Sequence, residues 1–511
     1  MFNYLAIFFA LLTISYLYAT RKSKYWKKKG VKYEEPIPFF GSNMPNILVK
    51  QSIPQIAEKM YWKYPEEKVV GHFYFCDPAL LIRDPDLITP ILSTHFKSFY
   101  TRGYLDGQEK YKLEILMKNL FCVEGPLWKL LKKSMSPLFT TSKLKAIFPI
   151  IETRAERLRE RLATASADAR PVDATDLTAR YNIDFICAYG LGLDTDSQKN
   201  ECSAIRRLSL KIFDVGFNEI CVSLLKHFFP VTFKNFKYLE KVEKEFLDLF
   251  NNILRERKSE SLERHDFLDL MLKLKARGKI EGDWKSPDGT LKQICLEVDD
   301  EILAAQVFMF FTAGFDTSSI STSYTLHEIA YNPEEQKKIQ EDIDRVLAKH
   351  NNKLSYDAVK EMQYLEWAFM EGLRIFPPVG FFLRMCEQKC FLDDANLTVD
   401  EGTRIVIPIR GLHHDPKYWD NPEEFRPERF SPKINEPKHK SAYLPFGIGP
   451  RSCIGERLAM MQSMAALATI LSHFTITPAP ASVRRPIVNP KNNLVQGVIG
   501  GLPLIFTPRK L

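Results

Sequence analysis

Phe446 to Gly455 reads FGIGPRSCIG and runs into Glu456 to Leu471, an Ala-, Met- and Leu-rich stretch with the composition of a buried helix. Cys453 therefore stands at a helix N-terminus. There the dipole and unpaired N–H groups favour an anion, which lowers a thiol's pKa and offers backbone donors to a thiolate. Gly447, Gly449 and Gly455 let the backbone approach a flat ligand closely, and Arg451 offers a cation to an acidic group on it. The set suits a planar, dianionic ligand held by sulfur; a glycine-rich turn beside a buried structural cysteine is the plainer alternative.

Two other groupings carry chemistry. Ala313 to Ser318, AGFDTS, puts an acid and an alcohol, Asp316 and Thr317, into an otherwise apolar helix where Ala313 and Gly314 leave room. That is either a packing notch with the hydroxyl bonded back to the preceding turn, or a groove in which the pair delivers protons. Glu371 and Arg374 stand three apart on a helix ending at Pro377-Pro378, so they share a face and can pair. Nine cysteines are scattered without a CxxC pair, and Cys386 and Cys390 have no second Cys/His pair beside them, which excludes a disulfide framework and argues against zinc. Position 452 is Ser, so the Gly447-x-Gly449 run is no dinucleotide fingerprint, and no GK[ST] loop occurs. Any electrons must come from a separate partner.

The full decapeptide resembles the haem-binding loop of the cytochrome P450 superfamily. The resemblance implies that Cys453 is the axial thiolate of haem b, that Phe446 and Gly447 pack beside it, and that Arg451 meets a propionate. A thiolate ligand pushes electron density to iron and favours O–O cleavage. Glu371 and Arg374 resemble the family's E-x-x-R motif, and Pro427 to Phe430 resembles the segment whose arginine, here Arg429, completes a structural triad. Arg384 resembles a second propionate-binding arginine, and Asp316-Thr317 the oxygen-activation motif. Trp128 to Lys133, WKLLKK, resembles the W-x-x-x-R helix, with Lys132 in place of the arginine; lysine keeps the charge and loses the planar fork. His413-His414-Asp415-Pro416 resembles a structural stretch of the same family, against a metal site.

These residues need elements to hold them, and the sequence expects a mainly α fold with small β-sheets, the triangular P450 domain with a long central helix, plus one transmembrane helix. Phe2 to Thr20 is uncharged and long enough to span a bilayer, and Arg21, Lys22, Lys24, Lys27, Lys28 and Lys29 follow it, which the positive-inside rule reads as a signal anchor with everything downstream in the cytosol. The organisation expected is an anchor over 1–20, a basic, Pro-rich linker over 21–45 stiffened by Pro36 and Pro38, and the catalytic domain over 46–511. Short β runs are expected near Lys68–Phe75, Ala79–Ile82 and Thr403–Ile409, with a hairpin turn at Gly500-Gly501. Helices are expected over Ile150–Ala163, Leu239–Arg255 and Glu297–Tyr331, the last nearly apolar all round across Ala304–Phe311, with Gln306 its only polar residue, and so buried. Arg277 to Gly289 is expected as a charged surface loop. The aromatic stretch Ile220 to Phe236 either dips into the bilayer or packs in the core.

Composition agrees with a folded protein: of 511 residues, 45% are hydrophobic and 26% charged. A net charge of +8 is too dispersed to argue for nucleic acid. The resemblance is strongest to microsomal members, especially insect enzymes related to the vertebrate steroid- and drug-oxidising group. It implies a monooxygenase that uses O2 and NADPH through NADPH-cytochrome P450 reductase, with cytochrome b5 as a further partner, at the endoplasmic reticulum membrane, on lipophilic plant toxins, insecticides or endogenous lipids. The expected pocket wall is Phe121, Phe308, Met309, Thr312, Ala313, Phe381 and Val498. Basic residues near the Cys453 side, Lys129, Lys133 and Arg457, are where a reductase is expected to dock. A haem-thiolate isomerase or dehydratase, which needs no NADPH, and a non-catalytic haem sensor are the rivals.

Overall fold

The computed structural model describes residues 2–104, 114–200, 203–212, 217–259, 264, 266–285, 289–434 and 437–509. The apolar run Phe2–Thr20 forms one helix almost wholly exposed, and Asn3–Thr20 is long and apolar enough to cross a membrane. The basic stretch after it differs from the expected linker. Trp26, on the short helix Tyr25–Lys28, is fully buried against Tyr61, Val69 and Phe73, and its Nε1 donates to the His72 carbonyl at 3.0 Å. The indole lies flat on Gly71, where an added Cβ would come within 2.4 Å of the ring. Lys22 pairs with Asp77 at 2.6 Å and Lys29 with Asp400 at 2.7 Å. One large aromatic and the glycine that admits it thus draw the segment into the domain core.

A four-stranded sheet orders Val69–Tyr74, Asp77–Ile82, Arg404–Ile407 and Phe382–Met385, with antiparallel, parallel and antiparallel pairings in turn. The expected Thr403–Ile409 strand stops at Ile407 because Pro408 breaks the ladder and opens the short helix Ile409–His413. The other expected helices extend to Thr141–Ala167 and Glu240–Ser259.

Two expectations are corrected. Lys279–Lys285 and Leu291–Glu297 pair as an antiparallel ribbon where a charged loop was expected. Its charges hide an alternation: Gly282 lets the ribbon press on Leu130 of the helix Gly125–Met135, and Trp284 meets the Tyr100 ring edge-on at 5.7 Å. Gly500 and Gly501 both have positive φ, but they join no hairpin. They fold the chain over Asp173, whose carboxylate accepts from Leu502 N–H at 2.8 Å, and deliver it to the strand Pro503–Pro508, which pairs with Phe474–Pro478 and Val172–Asp173.

The central helix, Asp300–Ala330, is capped by Asp299, whose carboxylate accepts from Ile302 N–H at 2.8 Å. Every residue from Ile302 to Phe311 is buried, as its nearly all-apolar surface requires, and the one polar side chain, Gln306, is hydrogen-bonded to Leu120 N–H and Lys118 O. Around it pack the helices Ala174–Ile186, Gln363–Ile375 and Glu456–His473, which bring the candidate residues to the middle of the chain's largest core cluster.

Candidate active site

The loop before Glu456–His473 takes its shape from two left-handed glycines, Gly447 (φ 70°) and Gly449 (φ 76°); a Cβ at Gly449 would lie 2.1 Å from the Leu92 carbonyl oxygen. Cys453 N–H donates to Phe446 O at 2.9 Å, closing the loop. The sulfur is accessible yet surrounded by protein, so it borders an internal void. Enclosure raises the thiol above its ordinary pKa, and the amides of Gly455 and Glu456 and the Arg102 cation pull it down only in part. The expected acidic thiol is therefore corrected: desolvation outweighs the helix N-terminus, and a bound metal cation would be what deprotonates it.

On the central helix, Ala313 is exposed and Thr312, Gly314, Asp316 and Thr317 are half-buried, between the buried runs Ile302–Phe311 and Ser318–Ser319. Gln462 of the cysteine helix donates to Gly314 O at 3.1 Å, holding the two helices together at this level. Thr317 Oγ1 donates to Ala313 O at 2.8 Å, so the back-bonded hydroxyl expected of a packing notch is present, with its lone pairs still available. Burial pushes the Asp316 carboxyl up to about 7, with Arg206 opposing.

Beside the cysteine loop the fold gathers cations. Arg451 is stacked 4.1 Å over Trp128 and bonds to Tyr100 O, Val123 O and the Glu124 carboxylate. Arg102 bonds to Phe121 O at 2.8 Å and Arg451 O at 3.1 Å, and Lys132 Nζ reaches Pro450 O. Arg384 is almost fully buried with its Nε unpartnered. Burial, then the neighbouring arginines, lower Arg384 to about 9 and Arg451 to about 8. Among the described residues, four cations thus gather around one carboxylate, Glu124, in a desolvated space. Such an excess of buried charge is costly unless an anion joins it, and the two propionates of a flat ligand held by Cys453 would supply negative charge there. The residues fit haem. Arg102 and Glu124 escaped the sequence reading because a lone arginine after Tyr100-Thr101 and a lone glutamate before a helix carry no periodicity; only packing reveals them.

The triad is complete. Arg374 Nε and Nη2 donate to Glu371 at 2.7 and 2.9 Å, Arg429 Nε donates at 3.0 Å, and all three side chains have 0% exposure. His413 extends it: Nδ1 donates to Arg374 O (3.2 Å) and Nε2 accepts from Leu444 N–H (2.9 Å), at the approach to the cysteine loop. Burial, then the Arg374 cation, lower this histidine to about 3, so it is neutral, and His414 binds Glu423 and Ile375 O. No metal-ligand cluster occurs among the described residues.

Of the expected pocket wall, Phe121 is half-buried, stacked on Tyr104 at 5.2 Å, and Thr312, Ala313 and Val498 are accessible in part. Phe308 and Met309 are buried on the central helix. Phe381 is displaced from the wall. Strand alternation turns it, with Leu383, into the cluster of Ile56, Val70 and Val406, while Phe382 lies 3.3 Å from where a Cβ of Gly447 would be.

The family model for Cytochrome P450 matches residues 31–500. The chain is 32% identical over 518 residues to Cytochrome P450 6B6 of Helicoverpa armigera, covering 100% of this chain and 99% of that protein. It is 32% identical to Cytochrome P450 6k1 of Blattella germanica (98% and 96% covered) and 33% identical to Cytochrome P450 9e2 of the same organism (94% and 94%). With that match across residues 31–500 and full-length relatives at 32% identity, and with an exposed cysteine in a glycine-shaped loop, the chain belongs to the cytochrome P450 family, the haem-thiolate monooxygenases.

Proposed function

We propose that this enzyme oxygenates lipophilic xenobiotics of the size of plant toxins and insecticides, with Cys453 as iron ligand and Asp316 and Thr317 as its proton path. When bound, haem supplies reductive activation of O2 and insertion of one oxygen atom into substrate, using electrons from NADPH delivered by a separate reductase. The protein's own part is to hold and to protonate. The Gly455 and Glu456 amides steady the sulfur, and Arg102, Lys132, Arg384 and Arg451 hold the propionates. Trp128 and Phe446 pack beside the ring system. Burial raises the Asp316 carboxyl to about 7, so it can hold a proton at working pH; Thr317 Oγ1 would accept that proton on a free lone pair and turn the hydrogen now on Ala313 O to the oxygen being reduced, and water would reprotonate Asp316.

The single observation that carries this reading is the accessible turn Ala313–Thr317 on a mostly buried helix, tied at Gly314 O to Gln462 of the helix that follows the exposed Cys453. The exposed helix Phe2–Thr20 and the basic residues after it support anchoring in the endoplasmic reticulum membrane with the domain in the cytosol. Exposed Phe229, Val231 and Phe236 support a second lipid contact beside the anchor. Since Trp26 is buried in the core, we draw the catalytic domain from about Lys22. Reconstitution with reductase and Thr317→Ala tests the proton path: NADPH oxidation continues while peroxide rises at the expense of product. Full product yield without extra peroxide overturns it, and turnover without NADPH would point to an isomerase.

A further inference from the structure

Resting on that reading, we propose that the ion pair of Glu114 with Lys226 is a latch that sets how fast lipophilic ligands pass beneath the helix Phe217–Phe228. The pair is desolvated: Nζ lies 2.8 Å from Oε1, with side-chain exposures of 11% and 5%. The same carboxylate accepts from Tyr238 N–H at 2.9 Å and Leu239 N–H at 3.3 Å, just before the helix Glu240–Ser259, and the ammonium sits 4.3 Å over the Tyr238 ring. One side chain thus ties together the last turn of one helix, the start of the next and the short turn Ile115–Met117 that Glu114 precedes.

That segment is itself fixed to the site. Gln306 of the central helix accepts from Leu120 N–H and donates to Lys118 O, and Phe121 follows immediately. By contrast, the described residues of the helix from Glu219 to Phe228 are all only half-buried. A cavity of about 260 Å³ opens beneath it, walled by Tyr74, Phe75, Ser223, Leu224, Leu239 and Val242. It holds none of the haem-side residues. One helical turn beyond Val242, Phe246 touches the Phe308 ring at 4.9 Å on the central helix, so the cavity floor leads towards the proposed pocket wall. The helix is sparsely packed over a cavity, and of its ion pairs Lys226–Glu114 is the most desolvated: Glu219 with Lys241 at 2.9 Å and His227 with Asp77 at 3.7 Å each leave one partner well exposed. Breaking the Lys226–Glu114 tie leaves a desolvated carboxylate without its cation.

The test uses the full-length, haem-loaded protein and 4-phenylimidazole, a lipophilic azole that shifts the Soret band on reaching the iron. Lys226→Met keeps the aliphatic stem and the Glu114 contacts to Tyr238 and Leu239. Association and dissociation rates should both rise about tenfold with the equilibrium constant nearly unchanged, and amide exchange across 219–228 should accelerate similarly while Phe308–Phe311 stays protected. Glu114→Gln should add faster exchange at Tyr238 and Leu239. Unchanged rates and exchange overturn the latch. So does a change confined to dissociation, which would make Lys226 a ligand contact. Failure of the haem reading is distinct: wild type would then give no azole shift, while amide exchange still reports on the tie.

Discussion

Replacing Glu371 by Gln puts the fold's most buried charge cluster under test. The carboxylate receives three guanidinium N–H bonds, from Arg374 and Arg429, and a fourth from Arg426 N–H at 2.9 Å. Other donors of these arginines go to carbonyls, of His413, Glu424 and Asn421, which offer dipoles but no charge. Glutamine is almost isosteric, but it leaves two desolvated cations uncompensated and turns an N–H2 towards guanidinium donors. Breaking a buried pair in this way costs about 3–5 kcal/mol. At about 2.1 cal/mol/K per residue, the roughly 490 residues beyond the anchor lose about 1 kcal/mol per degree near the midpoint, so Tm should fall by about 3–5 °C. The assay follows tryptophan fluorescence and the Soret band together during heating of detergent-solubilised holoprotein. Because His413 carries the cluster to Leu444, the Soret band should be lost no later than the fluorescence changes. Glu371→Asp, which keeps the charge, should cost less. A shift below about 1 °C in Glu371→Gln, with haem retained, would refute the argument that this carboxylate compensates both arginines.

Trp26→Ala should also lower Tm, since truncating a fully buried aromatic costs about 3–5 kcal/mol, whereas a free linker would show no shift in the same scan. Arg384→Leu should act with opposite signs on the two forms. The haem-free protein, relieved of a buried cation with an unpartnered Nε, should melt higher, while haem transfer to apomyoglobin should quicken about 10- to 100-fold. Asp316 predicts a pH dependence. Its folded pKa of about 7 stands above the unfolded value of ~3.9, so its contribution to stability declines as pH rises between the two and levels off above 7. The protonated donor is likewise lost above 7, so product formed per NADPH should fall as pH rises through 7 in wild type and stay flat in Asp316→Asn.

Much of this site is local in sequence, and that is why it could be read there. The cysteine loop, the AGFDTS turn and the E-x-x-R pair each need residues only a few positions apart, and helix periodicity places them. Glu371 with Arg429 needed the resemblance, because nothing local links residues 58 apart. Arg102 and Glu124 depend on long-range packing against Arg451 and left no pattern. Lys279–Lys285 looked like a loop because its charges masked an alternation whose inner residues pack against Leu130 and Tyr100. Proline and basic residues suggested a free connector over 21–45, and the outcome turned on Trp26 finding Gly71. Phe381 went astray by one position, and in a strand one position reverses the face.

The most direct measurement is the carbon monoxide difference spectrum of the dithionite-reduced membrane protein, taken beside Cys453→Ala. A strongly red-shifted Soret band in wild type that is absent from the variant is the predicted result, since only a thiolate ligand produces that shift. A band at the shorter wavelength of neutral ligation in properly folded wild type, or the same red-shifted band in both proteins, would contradict Cys453 as the iron ligand.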